Sequence, residues 1–272
     1  MTDPAWLEVT EGEAPLLVSI PHTGLDLGPY ERRFVSPWLA RKDADWHIEQ
    51  LYDFAAGLGA TVIRTTISRS VIDVNRDPSG ASLYPGLATT ELCPTITFDG
   101  EPLYRGETPN AGEIAERRGA YFDPYHAALR REIERLRSKH RRIALYDCHS
   151  IRSAIPRLFD GELPSYNLGT NGGASADPAL IAAVRDDLAA SGRSFVVDGR
   201  FKGGWITRRY GRPAEGVHAL QMELACRAYL REPQSVDASN WPAPYDADYA
   251  APTRGVIEKI FSTILAWIGH GS

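Results

Sequence analysis

The sequence predicts an α/β fold built on a largely parallel sheet. Three observations carry that reading. Short apolar or β-branched runs recur at 16–20, 60–67, 141–147, 194–199 and 216–224. Segments between them place apolar residues at helical spacing. The chain opens in the order strand, helix, strand, which a right-handed crossover turns into two parallel strands. With 272 residues, 43% of them hydrophobic, the chain can bury a large core. It shows no internal repeat and no low-complexity linker, so a single domain over 1–272 is expected.

The first strand is "LLVSI", 16–20, a continuous apolar run. "DADWHIEQLYDFAAGL", 43–58, reads as a helix: Ile48, Leu51, Tyr52 and Ala55 fall at i, i+3, i+4 and i+7, and Gly59 stands at the stop position. "ATVIRTTI", 60–67, is β-branched and reads as a strand. Residues 78–110 are rich in Pro and Gly. A connection of that length is uncommon in a compact domain, and it reads as a binding or lid loop. A long amphipathic helix is expected over 111–139, and a strand over "RRIALYD", 141–147. A helix over 178–191, a strand over "SFVVDG", 194–199, and a strand or strand–helix junction over "GVHALQMEL", 216–224, follow. Residues 232–250 read as coil and 251–269 as a last amphipathic helix.

Several function classes are argued against. Net charge is −5, and the densest basic stretch, "LRREIERLRSKHRR", interleaves acids at helical spacing, as a solvated helix face does. No basic stripe suits a phosphate backbone, so no nucleic-acid partner is expected. No apolar run approaches the roughly 20 residues that span a bilayer, and the acidic N-terminus does not read as a signal peptide. Three cysteines without a C-x-x-C pair argue against a disulfide framework or a cysteine-held metal. A cytoplasmic protein, monomeric or a small homo-oligomer, is the expectation.

The chemistry gathers at strand ends. His22, in "LLVSIPHTG", and His149, in "DCHS", both follow apolar strands, and in open α/β sheets ligands bind beyond those ends. Either Asp43 or Asp45 of "DADWH" can add a carboxylate to two imidazoles, a set that leaves a position open for water at a catalytic zinc. His47 is a rival ligand, although helical spacing points it away from Asp45. Asp147 shares a strand face with His149 and can orient it, whereas Cys148 points to the opposite face. "SRSVIDVNRDP" concentrates Arg69, Asp73, Asn75, Arg76 and Asp77, which suits either carboxylate recognition or a structural ion-pair cluster. Glu223 stands in the apolar run "LQMEL", where burial raises a carboxyl pKa and favours proton transfer near neutral pH.

These stretches, with "TTELCPTITFDGEPLYR", "YFDPYHAAL" and "FKGGWITRRYG", run in order over about residues 16–231. Together the set resembles the N-formylglutamate deformylase (N-formylglutamate amidohydrolase) family. The resemblance implies a three-layer α/β fold of zinc-carboxypeptidase-like (phosphorylase/hydrolase-like) type, its mostly parallel mixed sheet covered by helices on both faces. It implies Zn2+, or another divalent metal, on His22, Asp45 and His149. It assigns Arg69, Asn75 and Arg76 to substrate, with Arg69 at the oxyanion, and Glu223 to proton transfer. Arg208 or Arg209, in the Gly-rich segment, is expected to hold a second substrate carboxylate. One departure stands out: carboxypeptidase-like proteins carry an acidic ligand three residues after the first histidine, and Leu25 occupies that position here. The implied reaction is hydrolysis of N-formyl-L-glutamate, the final step of a histidine degradation route. The alternatives are another N-acyl amino acid as substrate, or a metal-free binding protein for acidic metabolites.

Overall fold

The computed structural model describes residues 3–269. Among them one sheet takes strands from most of the chain: β1 (Leu7–Thr10), β2 (Leu16–Ile20), β3 (Thr61–Thr65), β4 (Ile143–Ile151), β5 (Tyr166–Gly169), β6 (Phe195–Val197) and β7 (Val217–Ala225), in spatial order β1-β3-β2-β4-β7-β5-β6. The central strands β3, β2, β4 and β7 are mutually parallel. β1 is antiparallel to β3, and β5 is antiparallel to β7 with β6 parallel to it. The helices are α1 (Pro37–Arg41), α2 (Ile48–Leu51), α3 (Ala111–Arg117), α4 (Asp123–Arg137), α5 (Pro178–Ala190), α6 (Trp205–Tyr210) and α7 (Ala247–Gly269).

Every residue of β2, β4 and β7 is buried, as expected for parallel strands covered on both faces. Alternate side chains serve different layers. Val18, Tyr146 and Leu220 pack with Leu180 and Val184 of α5 and with Ile257 and Phe261 of α7. Leu17, Leu145 and Ala219 face the other way, onto Tyr125, Leu129 and Leu136 of α4. Each fully buried Leu or Ile contributes roughly 1.5–3 kcal/mol relative to exposure. The result is a three-layer α/β fold with a mostly parallel sheet. Among the described residues no helix is long and apolar enough to cross a membrane.

Several elements differ from the sequence reading. The helix expected over 43–58 does not form as one piece. Residues 43–47 make a turn, His47 adopts a left-handed φ of 63°, and only then do α2 and a 3-10 turn (Asp53–Leu58) follow. The apolar face was legible nonetheless: Ile48, Leu51, Tyr52 and Ala55 all enter the core. The long helix expected over 111–139 is divided by a π turn (Arg118–Phe122) between α3 and α4. β4 runs to Ile151, so His149 lies inside the strand, because β7 pairs with it from Ile143↔Val217 to Ile151↔Ala225. β1, β5, α1 and α6 were not anticipated. They are four to six residues long, too short for a periodic signal.

Candidate active site

Because β2, β3, β4 and β7 are parallel, their C-terminal ends share one edge. His22 follows β2 by two residues. The "HTG" segment then runs hard against the chain leaving β3: a Cβ on Gly24 would lie 2.2 Å from the Ile67 carbonyl oxygen. Only glycine allows that approach, and the approach holds His22 at the sheet edge. The Asp45 amide donates to the His22 carbonyl at 3.0 Å, tying the turn after α1 to the end of β2. Glu223 sits on β7 directly opposite His149 on β4.

His22 Nδ1 and His149 Nδ1 stand 3.1 Å apart. Asp45 Oδ2 is 3.1 Å from the His149 Nδ1 and 3.5 Å from the His22 Nδ1. The outer nitrogens meet carboxylates, His22 Nε2 on Asp73 Oδ1 at 2.7 Å and His149 Nε2 on Asp147 Oδ2 at 2.9 Å. A carboxylate accepting from Nε2–H leaves the Nδ1 lone pair free on each ring. Two such lone pairs and a carboxylate oxygen then face one point. All three groups are buried, and their ligand atoms lie within 4.8 Å of one another. Acceptors so disposed repel unless a cation stands among them, and imidazoles braced by carboxylates are the usual surroundings of a bound metal.

The electrostatics agree. Burial disfavours charge on His149, yet Asp147 and Asp45 outweigh it and hold its pKa well above the ordinary value, so the site favours positive charge there. A metal competes with that proton. Burial also opposes charge on Asp45 and Asp73. For Asp45, His22, His149 and Arg69 outweigh it; for Asp73, His22, Arg69 and Arg76 do, and both carboxyls are held below their usual range. Glu223 is the opposite case: burial pushes its carboxyl up to about 7.

Arg69 donates Nη2 to Asp73 Oδ2 at 2.8 Å and Nη1 to Asp45 Oδ1 at 3.3 Å, with its guanidinium 4.8 Å from the Phe98 ring centre. Asn75 donates to Asp147 Oδ2 at 3.0 Å and accepts from the Ile206 amide at 2.8 Å. Arg76 holds Thr90 through Nε and Nη2. A cleft at this edge is lined by His22, His149, Glu223, Arg69, Asn75, Arg76 and part of the 78–110 loop, including Tyr84, Thr90 and Phe98.

A family model described as N-formylglutamate amidohydrolase matches residues 14–230. The N-formylglutamate deformylase of Pseudomonas putida is 46% identical over 96% of each chain. This chain belongs to the N-formylglutamate amidohydrolase family. The N-formylglutamate deformylase of Pseudomonas aeruginosa strain PAO1 is likewise 46% identical over 96% of each chain. The fold is shared with the N-formylglutamate amidohydrolase of Ralstonia eutropha JMP134, at TM-score 0.79 and 22% identity, covering 99% of this chain and 100% of that one. It is also shared with the gene product Atu2144 of Agrobacterium tumefaciens, at TM-score 0.71 and 14% identity over 97% of this chain and 96% of that one.

Within this family member, Asp45 rather than Asp43 stands beside His22 and His149. Asp43 is turned away, accepting from the Phe98 amide at 2.6 Å and from Arg152 at 3.3 Å. His47 lies apart, its Nε2 3.1 Å from the Ala243 carbonyl. Cys148 is buried in the layer opposite His149. Arg208 and Arg209, expected at a second substrate carboxylate, are not among the residues that line the cleft, although the Arg208 guanidinium is 5.0 Å from the ring centre of the lining residue Tyr84. α6 turns Ile206 and Thr207 inward, so Arg208 folds back onto the Gly203 carbonyl at 2.9 Å and Arg209 is exposed. Gln221 and Arg200 are polar lining residues outside the sequence expectation. Gln221 joins the Gly204 amide to Glu223 Oε2, and its i−2 spacing from Glu223 on a strand was a usable signal. Arg200, in the short "DGRFKGG" stretch, had no such signal.

Proposed function

We propose that this chain is a zinc-dependent enzyme that hydrolyses N-formyl-L-glutamate to L-glutamate and formate. The observation that most supports it is the convergence of His22, Asp45 and His149 beside a cleft that also holds Glu223 and several arginines. Two nitrogens and one carboxylate oxygen are the donor set of an open catalytic zinc site, and another divalent metal of similar preference would suit it. Bound there, the metal supplies Lewis acidity to the attacking water and to the formyl oxygen.

The chain's own residues do the rest. Glu223 takes a proton from the water as its oxygen bonds to the formyl carbon, and gives it to the amide nitrogen as the C–N bond breaks. Arg69, fixed by Asp45 and Asp73, turns its cation to the negative charge developing on the formyl oxygen. Arg76 takes the carboxylate next to the scissile amide. The Asn75 amide is engaged with Asp147 and Ile206, so Asn75 orients these groups. Residues 1–272 act in this reading as a single catalytic domain whose 78–110 loop walls the cleft. The final step of histidine degradation is the metabolic setting we assign, with family membership as its support. Metal analysis and formate release test the reading together. We expect about one zinc per chain and faster turnover of N-formyl- than of N-acetyl- or N-succinyl-L-glutamate. A protein that takes up no divalent metal, or prefers the larger acyl groups, overturns it.

A further inference from the structure

A substrate with two carboxylates needs a second cation. Arg209 is exposed, and Arg208, 5.0 Å from the ring centre of the cleft residue Tyr84, is not itself among the lining residues and gives its Nε to the Gly203 carbonyl. Arg200 does line the cleft. Its Nε donates to the Leu158 carbonyl at 2.9 Å and its Nη2 to the Ala88 carbonyl at 2.7 Å. Nη1 is buried and has no acceptor, and among the described residues Arg200 forms no ion pair. The guanidinium is 5.3 Å from the Tyr84 ring centre and 5.2 Å from that of Phe201, so two aromatic side chains stand close to it. Burial lowers its pKa below the ordinary value. A partly desolvated guanidinium, already oriented by two backbone carbonyls and still holding a free donor, is built to receive an anion.

Resting on the deformylase reading, we propose that Arg200 binds the side-chain carboxylate of the acyl amino acid and sets the preference for an acidic substrate. Its place in the cleft selects that carboxylate over the other. Arg76 lies 3.7 Å from Asp73, the brace of His22, and therefore sits at the metal end beside the scissile amide. Arg200 is anchored on the half-exposed Ala88 and Leu158, toward the outside. An N-formyl amino acid lying with its amide at the metal end points its side chain that way.

The test compares N-formyl-L-glutamate with N-formyl-L-glutamine, which has nearly the same shape and lacks the charge. In Arg200→Met, kcat/KM for the acidic substrate should fall by roughly 10–100-fold, as for loss of a charged hydrogen bond. The neutral substrate should change by no more than a few-fold, and Arg200→Lys should restore part of the preference. Binding of L-glutamate and L-glutamine, followed by calorimetry in the same variants, gives a readout independent of turnover. Equal losses for both substrates and both ligands would mean that Arg200 merely joins the Ala88 and Leu158 segments, which overturns the proposal and leaves the deformylase reading standing. An Arg200-dependent preference for L-glutamate in a protein that releases no formate would support the subsite and overturn the deformylase reading.

Discussion

His22 and His149 both present Nδ1 inward with Nε2 beside a buried aspartate, and on His149 the Asn75 amide nitrogen also lies 2.9 Å from Nε2. Where Asp73 and Asp147 accept from Nε2–H, the Nδ1 lone pairs face Asp45. The choice between Asp45 and Asp43 was not legible from the residues, since both are acids of one short segment. The Phe98 amide and Arg152, distant in sequence, capture Asp43 and leave Asp45 for the site. Glu223 was legible as an acid in an apolar run, and its pKa near 7 follows from that burial. As the proposed general base it must be ionised, so the acid limb of the rate profile should fall tenfold per pH unit below about 7, or lower where bound metal favours the carboxylate. Glu223→Gln should keep the zinc, lose turnover by a factor on the order of 10² to 10⁴ and lose that limb. Stability gives a second reading on metal-free protein. A carboxyl raised from 4.5 to about 7 makes its contribution below the lower value, and that contribution is lost as pH rises through the upper one. The variant should therefore gain melting temperature relative to the parent at pH 8 but not at pH 4. Turnover within a few-fold of the parent would remove Glu223 from the mechanism.

Among elements, β4 and β7 do most to assemble the site, because their parallel register sets His149 opposite Glu223. α6 depends on its neighbours in turn. Gly204 is its N-cap and carries no capping side chain; instead Asn75 Oδ1 accepts the Ile206 amide, and the Asn75 carbonyl accepts from Trp205 at 3.2 Å. A Cβ on Gly204 would lie 2.4 Å from Asn75 Nδ2, so the glycine is required for space rather than for backbone conformation. Gly204→Ala should push Asn75 off Asp147 and loosen the brace of His149. We expect metal affinity or turnover to fall roughly 10–100-fold while circular dichroism stays that of the folded protein. Unchanged metal binding and kinetics would show that the Asn75–Asp147 contact does not matter to the site. Short elements such as α6 were hidden in the sequence because capping from a residue 131 positions away leaves no local pattern.

Across the whole molecule, the candidate ligands come from the end of β2, the turn after α1 and the body of β4, so a bound ion joins segments that are remote along the chain. Any ligand of the folded state alone stabilises it, by about 2.7 kcal/mol when present at 100 times its Kd. Chelation should therefore lower Tm by on the order of 5 °C for a chain of this size, with recovery on adding zinc. A Tm indifferent to both treatments would mean that no metal bridges these segments. The division between sequence and structure follows the range of the interactions. Hydrophobic runs and periodicity are local, so the chain alone determined an α/β class, the strands β2, β3, β4 and β7, the apolar faces of α2, α4 and α7, and His22 just beyond the end of β2. The register that opposes Glu223 to His149, the turn that delivers Asp45 rather than Asp43, and the course of Arg208 and Arg209 were decided only in three dimensions. Each depends on hydrogen bonds or packing between segments far apart in sequence, and such contacts leave no trace in the spacing of residues along one segment.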